Sequence, residues 1–289
     1  MTRCKFTTLQ GEIKLKFRNF GHLCHEVSQS FMFEVRISAV RYSNTYPLIY
    51  GLKNAGIELN AKIDIDHPAD CARKISEGEA DIGLVPVVVL HENRSLSIIG
   101  DYCIGTLGPV RTVLLLSNKP LNELDAIFLD YRSKTSIALT KLMARKFWKL
   151  NYSWKETNPD FNFSDIADNQ GIVLIGDQCY EMQSNFKYKT DLAIEWNRFT
   201  GLPFVFACWV SNKNFSSKFV TKFNKALEYG VNNIDKVVEY YGNRGTMPPD
   251  VLEDYLTNNI DYLLDDEKRV AMNTFFRYLG DIKKSTDIK

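Results

Sequence analysis

The chain has 289 residues, 45% of them hydrophobic, and its 36 Lys and Arg balance 35 Asp and Glu to a net charge of +1. That is enough apolar material for one large domain or two lobes, and no net field favours nucleic acid or an anionic membrane as partner. Six cysteines, Cys4, Cys24, Cys71, Cys103, Cys179 and Cys208, are scattered without a C-x-x-C pair or zinc spacing, so they read as reduced thiols of a cytoplasmic protein.

Residues 1–33 mix Lys14, Lys16 and Arg18 with short apolar pieces and contain neither a secretory h-region nor a membrane span. They read as an N-terminal extension, flexible or upstream of the natural start, for which Met32 before Phe33-Glu34-Val35-Arg36 is the expected site. His22, Cys24 and His25 lie close together, but no second ligand cluster stands nearby, and no metal site is expected.

From Arg36 an alternating strand runs into the polar turn Tyr42-Ser43-Asn44-Thr45, and Pro47 then suits the first turn of a helix, with Asn44 or Thr45 as its side-chain cap. Residues 62–66 alternate like a strand, and 68–76 carry Ala69, Ala72 and Ile75 at helical spacing up to the stop at Gly78. The run 80–90 is almost continuously apolar, as in a strand buried on both faces. Strand, helix, strand, helix, strand implies a parallel sheet.

Residues 97–103 and 110–116 are further strands, and a second α/β series follows Pro120, with a strand at 126–130. Its helix shows Leu139, Leu142, Met143, Phe147 and Leu150 on one face, and a buried strand follows at 171–176. Residues 202–210 form an apolar strand, Phe219 to Val231 an amphipathic helix, and 250–264 and 266–279 two more helices, with Asp250 as a cap. Two such series suggest two α/β lobes, the first from 34–105 plus 208–289 and the second from 106–207, around a cleft where strand ends and helix N-termini converge. Nothing in the pattern specifies an oligomeric state.

Three loops would meet in that cleft. The Ser43-Asn44-Thr45 turn offers uncharged donors at a helix start, which suits an anion. The stretch 104–112 has Gly105 and Gly108 for close backbone approach, with Arg111 and Thr112 as a cation and a hydroxyl. The third loop, 129–136, leads into a helix that Ser133 can cap, and Thr135, Ser136 and the free first-turn N–H groups make an anion cradle beside basic Arg132 and Lys134. His67 and His91 are not placed as general bases, and no Ser-His-Asp, zinc or phosphate-loop signature appears.

Several motifs in order resemble one family: Val40 to Leu48, Ala80 to Val87, Cys103-Ile104-Gly105 through Gly108-Pro109-Val110, Leu129-Asp130 through Ser133-Lys134-Thr135-Ser136, Ile175-Gly176-Asp177, and Glu195-Trp196 through Thr200 to Ala207. Over residues 35–240 the chain resembles chorismate dehydratase of the futalosine route to menaquinone. The resemblance implies a two-lobed type II periplasmic-binding-protein-like fold, working in the cytoplasm without a cofactor. It also implies that chorismate loses water to give 3-[(1-carboxyvinyl)oxy]benzoate with its enolpyruvyl ether retained. On that resemblance Asn44 and Thr112 orient the reacting centre and a substrate carboxylate accepts the proton. Ser43, Thr45, Gly108, Arg111, Ser133, Thr135, Ser136, Gly176, Asp177 and Phe204 would surround the substrate. The chain departs from the family pattern at Ser43, where Leu is commoner, and at Thr106 and Leu107.

Two other readings compete. The dihydroxynaphthoate synthase of the same pathway has a similar fold, but its Ser-Pro-Cys-Pro-Asn-Asp turn is absent here and it is expected to use a histidine base. A solute-binding protein for a small anion would carry a signal peptide or lipid anchor, and none is visible.

Overall fold

The computed structural model describes residues 8–9, 12–13 and 34–286. His22, Cys24, His25 and Met32, the subjects of the N-terminal expectations, lie outside the described residues, as does Cys4. Two short strands, β1 (Thr8–Leu9) and β2 (Glu12–Ile13), pair antiparallel.

The first series runs β3 (Val35–Val40), α1 (Tyr46–Asn54), β4 (Ala61–Asp66), α2 (Pro68–Ser76) and β5 (Ile82–Pro86). β3 pairs parallel with both β4 and β5, as the alternation of elements requires. The apolar run does not continue as one strand: it stops at Pro86 and turns into α3 (Val88–Glu92). Proline cannot donate to a ladder, so a strand interior has no place for it and a strand end does. β6 (Ser97–Thr106) and β12 (Phe204–Ser211) complete the middle of this sheet, with β12 antiparallel to both β5 and β6. β13 (Asp261–Leu263) closes one edge, giving the order β13-β6-β12-β5-β3-β4.

The second sheet comprises β7 (Val113–Ser117), β8 (Ala126–Leu129), β9 (Ser153–Glu156), β10 (Gln170–Ile175) and β11 (Tyr188–Asp191), in the order β11-β7-β10-β8-β9. Around it lie α4 (Lys134–Met143), α5 (Gln178–Met182) and α6 (Leu192–Thr200). The chain thus crosses between sheets after β6 and again before β12. Residues 204–207, expected in the second lobe, belong to the first sheet, because all of β12 pairs there.

The C-terminal part holds α7 (Ser217–Val231), α8 (Ile234–Tyr241), α9 (Pro249–Asn258) and α10 (Asp266–Thr286). The helix expected over 250–264 is α9 followed by β13, and Pro248, not Asp250, occupies the cap position. α1 and α7 touch backbone to backbone through a glycine pair: a Cβ on Gly51 would come 2.0 Å from the Ala226 carbonyl oxygen, and one on Gly230 would come 1.8 Å from that of Pro47. That contact anchors α1, and with it the turn that precedes it. Lys268 is fully buried and pairs with Asp261 and Asp265, tying α10 to β13. Cys71, Cys103, Cys179 and Cys208 are free and buried. Among the described residues no helix is long and apolar enough to cross a membrane.

Candidate active site

One cavity lies where the ends of β3, β5 and β6 and the first half of β12 face the starts of β7 and α4 and the end of β10. Both lobes wall it. Asn44, Thr45, Thr112, Ser133, Thr135, Ser136 and Gly176, all expected at the site, line it. Tyr42, Arg132 and Phe206 line it as well.

The turn after β3 folds as a short 3-10 helix, Ser43–Thr45, leading straight into α1. Neither Asn44 nor Thr45 caps α1 through its side chain. The Thr45 hydroxyl turns back, donating to the carbonyls of Val40 and Tyr42 at 2.5 and 2.6 Å. This ties the turn to the strand end and leaves Asn44 as its polar side chain at the cavity. Ser43 and Asp177 do not line the wall; the Ser43 N–H donates to both Asp177 carboxylate oxygens at 3.3 Å. Burial raises the Asp177 carboxyl above its ordinary value, against the opposing hydrogen bonds from Ser43. Gly176 sits at φ +68°, and a Cβ there would lie 2.5 Å from the Tyr42 ring, so only glycine fits between β10 and that ring.

α4 brings its start to the cavity. Ser133 caps it by accepting from the Ser136 N–H at 3.3 Å. The Thr135 hydroxyl donates to the Phe206 carbonyl at 3.2 Å and accepts from the Val88 N–H at 3.4 Å, joining this helix of the second lobe to the first sheet. Arg132 donates to Asp130 through Nε and Nη2, both at 2.8 Å, and through Nη2 to Gln178 Oε1 at 2.7 Å. Asp130 is 1% exposed, so the guanidinium is held in a fixed plane by a buried carboxylate. These contacts keep Arg132 cationic and raise its pKa, chiefly through the Asp130 hydrogen bond.

Three further expected residues, besides Ser43 and Asp177, are off the wall. Arg111, at φ +59°, gives its N–H to Asp191 at 2.8 Å and its guanidinium to Asp254 at 2.7 Å, on an exposed face. Gly108 makes a tight turn with Thr106, its N–H and carbonyl both meeting the Thr106 hydroxyl at 3.1 and 3.0 Å, away from the wall. Phe204 packs edge-on against Trp196 and Phe275 in the core, with centroids 5.3 and 5.2 Å apart. Phe206 lines the cavity instead, its ring edge-on to that of Phe204 with centroids 4.8 Å apart, beside a shift in the β6–β12 register between Val205 and Ala207. Arg132 is thus the cation of the wall among the described residues.

The described lining contains no carboxylate, imidazole or thiol. His67 contacts Arg41 through Nε2 at 2.9 Å and does not line the wall. What the wall offers is one cation, a helix N-terminus, hydroxyls, an amide and apolar surface. That set can bind and orient an anion and can lower the energy of developing negative charge.

A family model described as menaquinone biosynthesis matches residues 35–281. A protein of Thermus thermophilus named chorismate dehydratase is 26% identical over 261 residues, covering 83% of this chain and 93% of that protein. Among solved structures, one from Archaeoglobus fulgidus superposes with a TM-score of 0.69 at 12% identity, covering 90% of this chain and all (100%) of that one. A Candida albicans protein described as having the generic periplasmic binding protein fold superposes with a TM-score of 0.60 at 10% identity, covering 86% and 90% of the two chains. At such identities the structural likeness speaks for the fold, the two-lobed periplasmic-binding-protein-like one.

Proposed function

The chain belongs to the menaquinone biosynthesis family, and on that premise we propose that it is a chorismate dehydratase, a hydro-lyase that acts in the cytoplasm. The reaction removes the proton from the ring carbon bearing the ether and the hydroxyl from the neighbouring carbon. The electron pair of the broken C–H bond completes the aromatic ring as hydroxide leaves and is protonated to water. The product is 3-[(1-carboxyvinyl)oxy]benzoate, with the ether intact.

The observation that carries the reading is the make-up of the cavity wall: one clamped cation and the start of α4 beside Asn44 and Thr112, with no protein base in the described lining. Chorismate is a dianion whose ring becomes aromatic on losing water, so its chemistry asks for positioning and charge stabilisation. Arg132 and the first turn of α4 hold one carboxylate. Asn44 and Thr112 orient the reacting carbons, and the second substrate carboxylate takes the proton. Tyr42 and Phe206 wall the ring.

Turnover is followed by the loss of the chorismate diene absorbance. Asn44→Ala and Thr112→Ala are each expected to lower kcat by about 100-fold, the cost of mispositioning a reacting centre. Wild-type kcat in both variants would refute the assignment of those two residues.

A further inference from the structure

Tyr255 lies on α9, 143 residues from Thr112 and further still from Asn44, and it belongs to none of the cavity loops. Its side chain is nonetheless buried, at 2% exposure, and its hydroxyl shares a 2.6 Å hydrogen bond with Thr112 Oγ1. The Asn44 side chain also faces this hydroxyl. A phenol has one proton to give and lone pairs to accept with, so it can serve both partners at once.

The neighbours of Tyr255 reinforce this arrangement. The Tyr262 hydroxyl, in β13, donates to the Asn44 backbone carbonyl at 3.0 Å. Asn259 Nδ2 donates to the Pro109 carbonyl at 2.8 Å. Residues 255–262 therefore grip the Asn44 turn of the first lobe and also the 109–112 crossing into the second. An asparagine amide has no preferred direction of its own; the groups around it fix which way its donors and acceptor point.

We propose that Tyr255 is a positioning residue for the dehydration, its hydroxyl fixing Thr112 and Asn44 relative to each other across the two lobes before the substrate arrives. The inference rests on the dehydratase reading. It gives the C-terminal helices a catalytic purpose and makes the site preorganised, with its two polar groups locked by a side chain that never meets the substrate. Because its phenol is fully buried, its pKa is raised and the hydroxyl stays protonated through the neutral range.

Tyr255→Phe deletes the hydroxyl and keeps the ring. The expected result is a kcat lower by about 10- to 100-fold with KM within about threefold, because the lost bond orients reacting groups and does not hold the substrate. Combined with Thr112→Val, the loss should be smaller than the product of the two single losses, since both variants remove the Tyr255–Thr112 bond and only Tyr255→Phe also removes the hydroxyl that faces Asn44. A tyrosine that only packs would lower the thermal midpoint, leave the kcat of folded molecules unchanged, and multiply with Thr112→Val; that result overturns the proposal. Should Tyr255→Phe not fold, Tyr262→Phe carries the test through Asn44 alone: a fall in kcat of about fivefold supports it and an unchanged kcat overturns it. If the wild-type chain does not turn over chorismate, the dehydratase reading fails and this inference falls with it. If the wild type is active and Tyr255→Phe matches it, only the inference fails.

Discussion

Arg132→Gln strips the cavity wall of its cation and leaves the Asp130 carboxylate, 1% exposed, with only the Arg132 N–H at 3.1 Å and the Gln178 amide at 2.6 Å as donors. Breaking a buried ion pair from one side costs about 3–5 kcal/mol, and the two surviving donors place this case near the lower end. For a chain of this size that is a fall in thermal midpoint of about 6–12 °C. Substrate affinity changes separately. A lost hydrogen bond to a charged group costs about 1.5–3 kcal/mol, so KM for chorismate should rise by about 10- to 100-fold. Pairing the change with Asp130→Asn separates the two effects: with both charges gone, most of the stability should return and none of the affinity. The assays are thermal unfolding and steady-state loss of the chorismate diene. A double variant that regains both stability and KM, or an Arg132→Gln variant with wild-type KM, would refute the role given to this arginine.

Arg111→Gln serves as the contrast, because its guanidinium side chain is 55% exposed and paired with Asp254; kcat/KM should stay within about twofold of wild type, and a loss like that of Arg132→Gln would return the cation's role to Arg111. Gly176→Ala places a Cβ against the Tyr42 ring at φ +68°, where the left-handed backbone alone costs about 1–2 kcal/mol; lower stability and loss of turnover are expected, and a fully active variant would show that Tyr42 can move aside. Asp177 has a raised pKa in the folded chain, so it binds its proton more tightly folded than unfolded. The stability linked to that proton is full below the ordinary carboxylate value of about 3.9 and is lost as pH rises through the folded value. Asp177→Asn should therefore unfold at a higher temperature than wild type at pH 7, with the gap vanishing in acid. A variant that is less stable at every pH would mean that the Ser43 contacts favour the anion.

Much of the fold is legible because it rests on local pattern. The alternation through β3, the helical spacing of α2 and the buried runs of β7 and β10 are set by period, and period survives in sequence. β9 and β11 escape notice because they are edge strands. Ser153-Trp154-Lys155-Glu156 and Tyr188-Lys189-Thr190-Asp191 carry the charges that edges tolerate, and these hide the strand signal.

The loops of the site stand out in the sequence, but the direction of their side chains does not. Arg111 and Arg132 both sit beside hydroxyl-rich turns, and only the fold shows that Asp254 draws one outward while Asp130 fixes the other at the wall. Tyr255 carries no local signal at all. It reaches Thr112 through a tertiary contact between distant parts of the chain, which no motif spacing encodes.

The most direct test is mass analysis of the product after purified wild-type chain has consumed chorismate. The account predicts a single aromatic product lighter than chorismate by one water, with the three-carbon ether retained and no pyruvate released. Pyruvate in the medium, or tightly bound chorismate recovered unchanged, would contradict it.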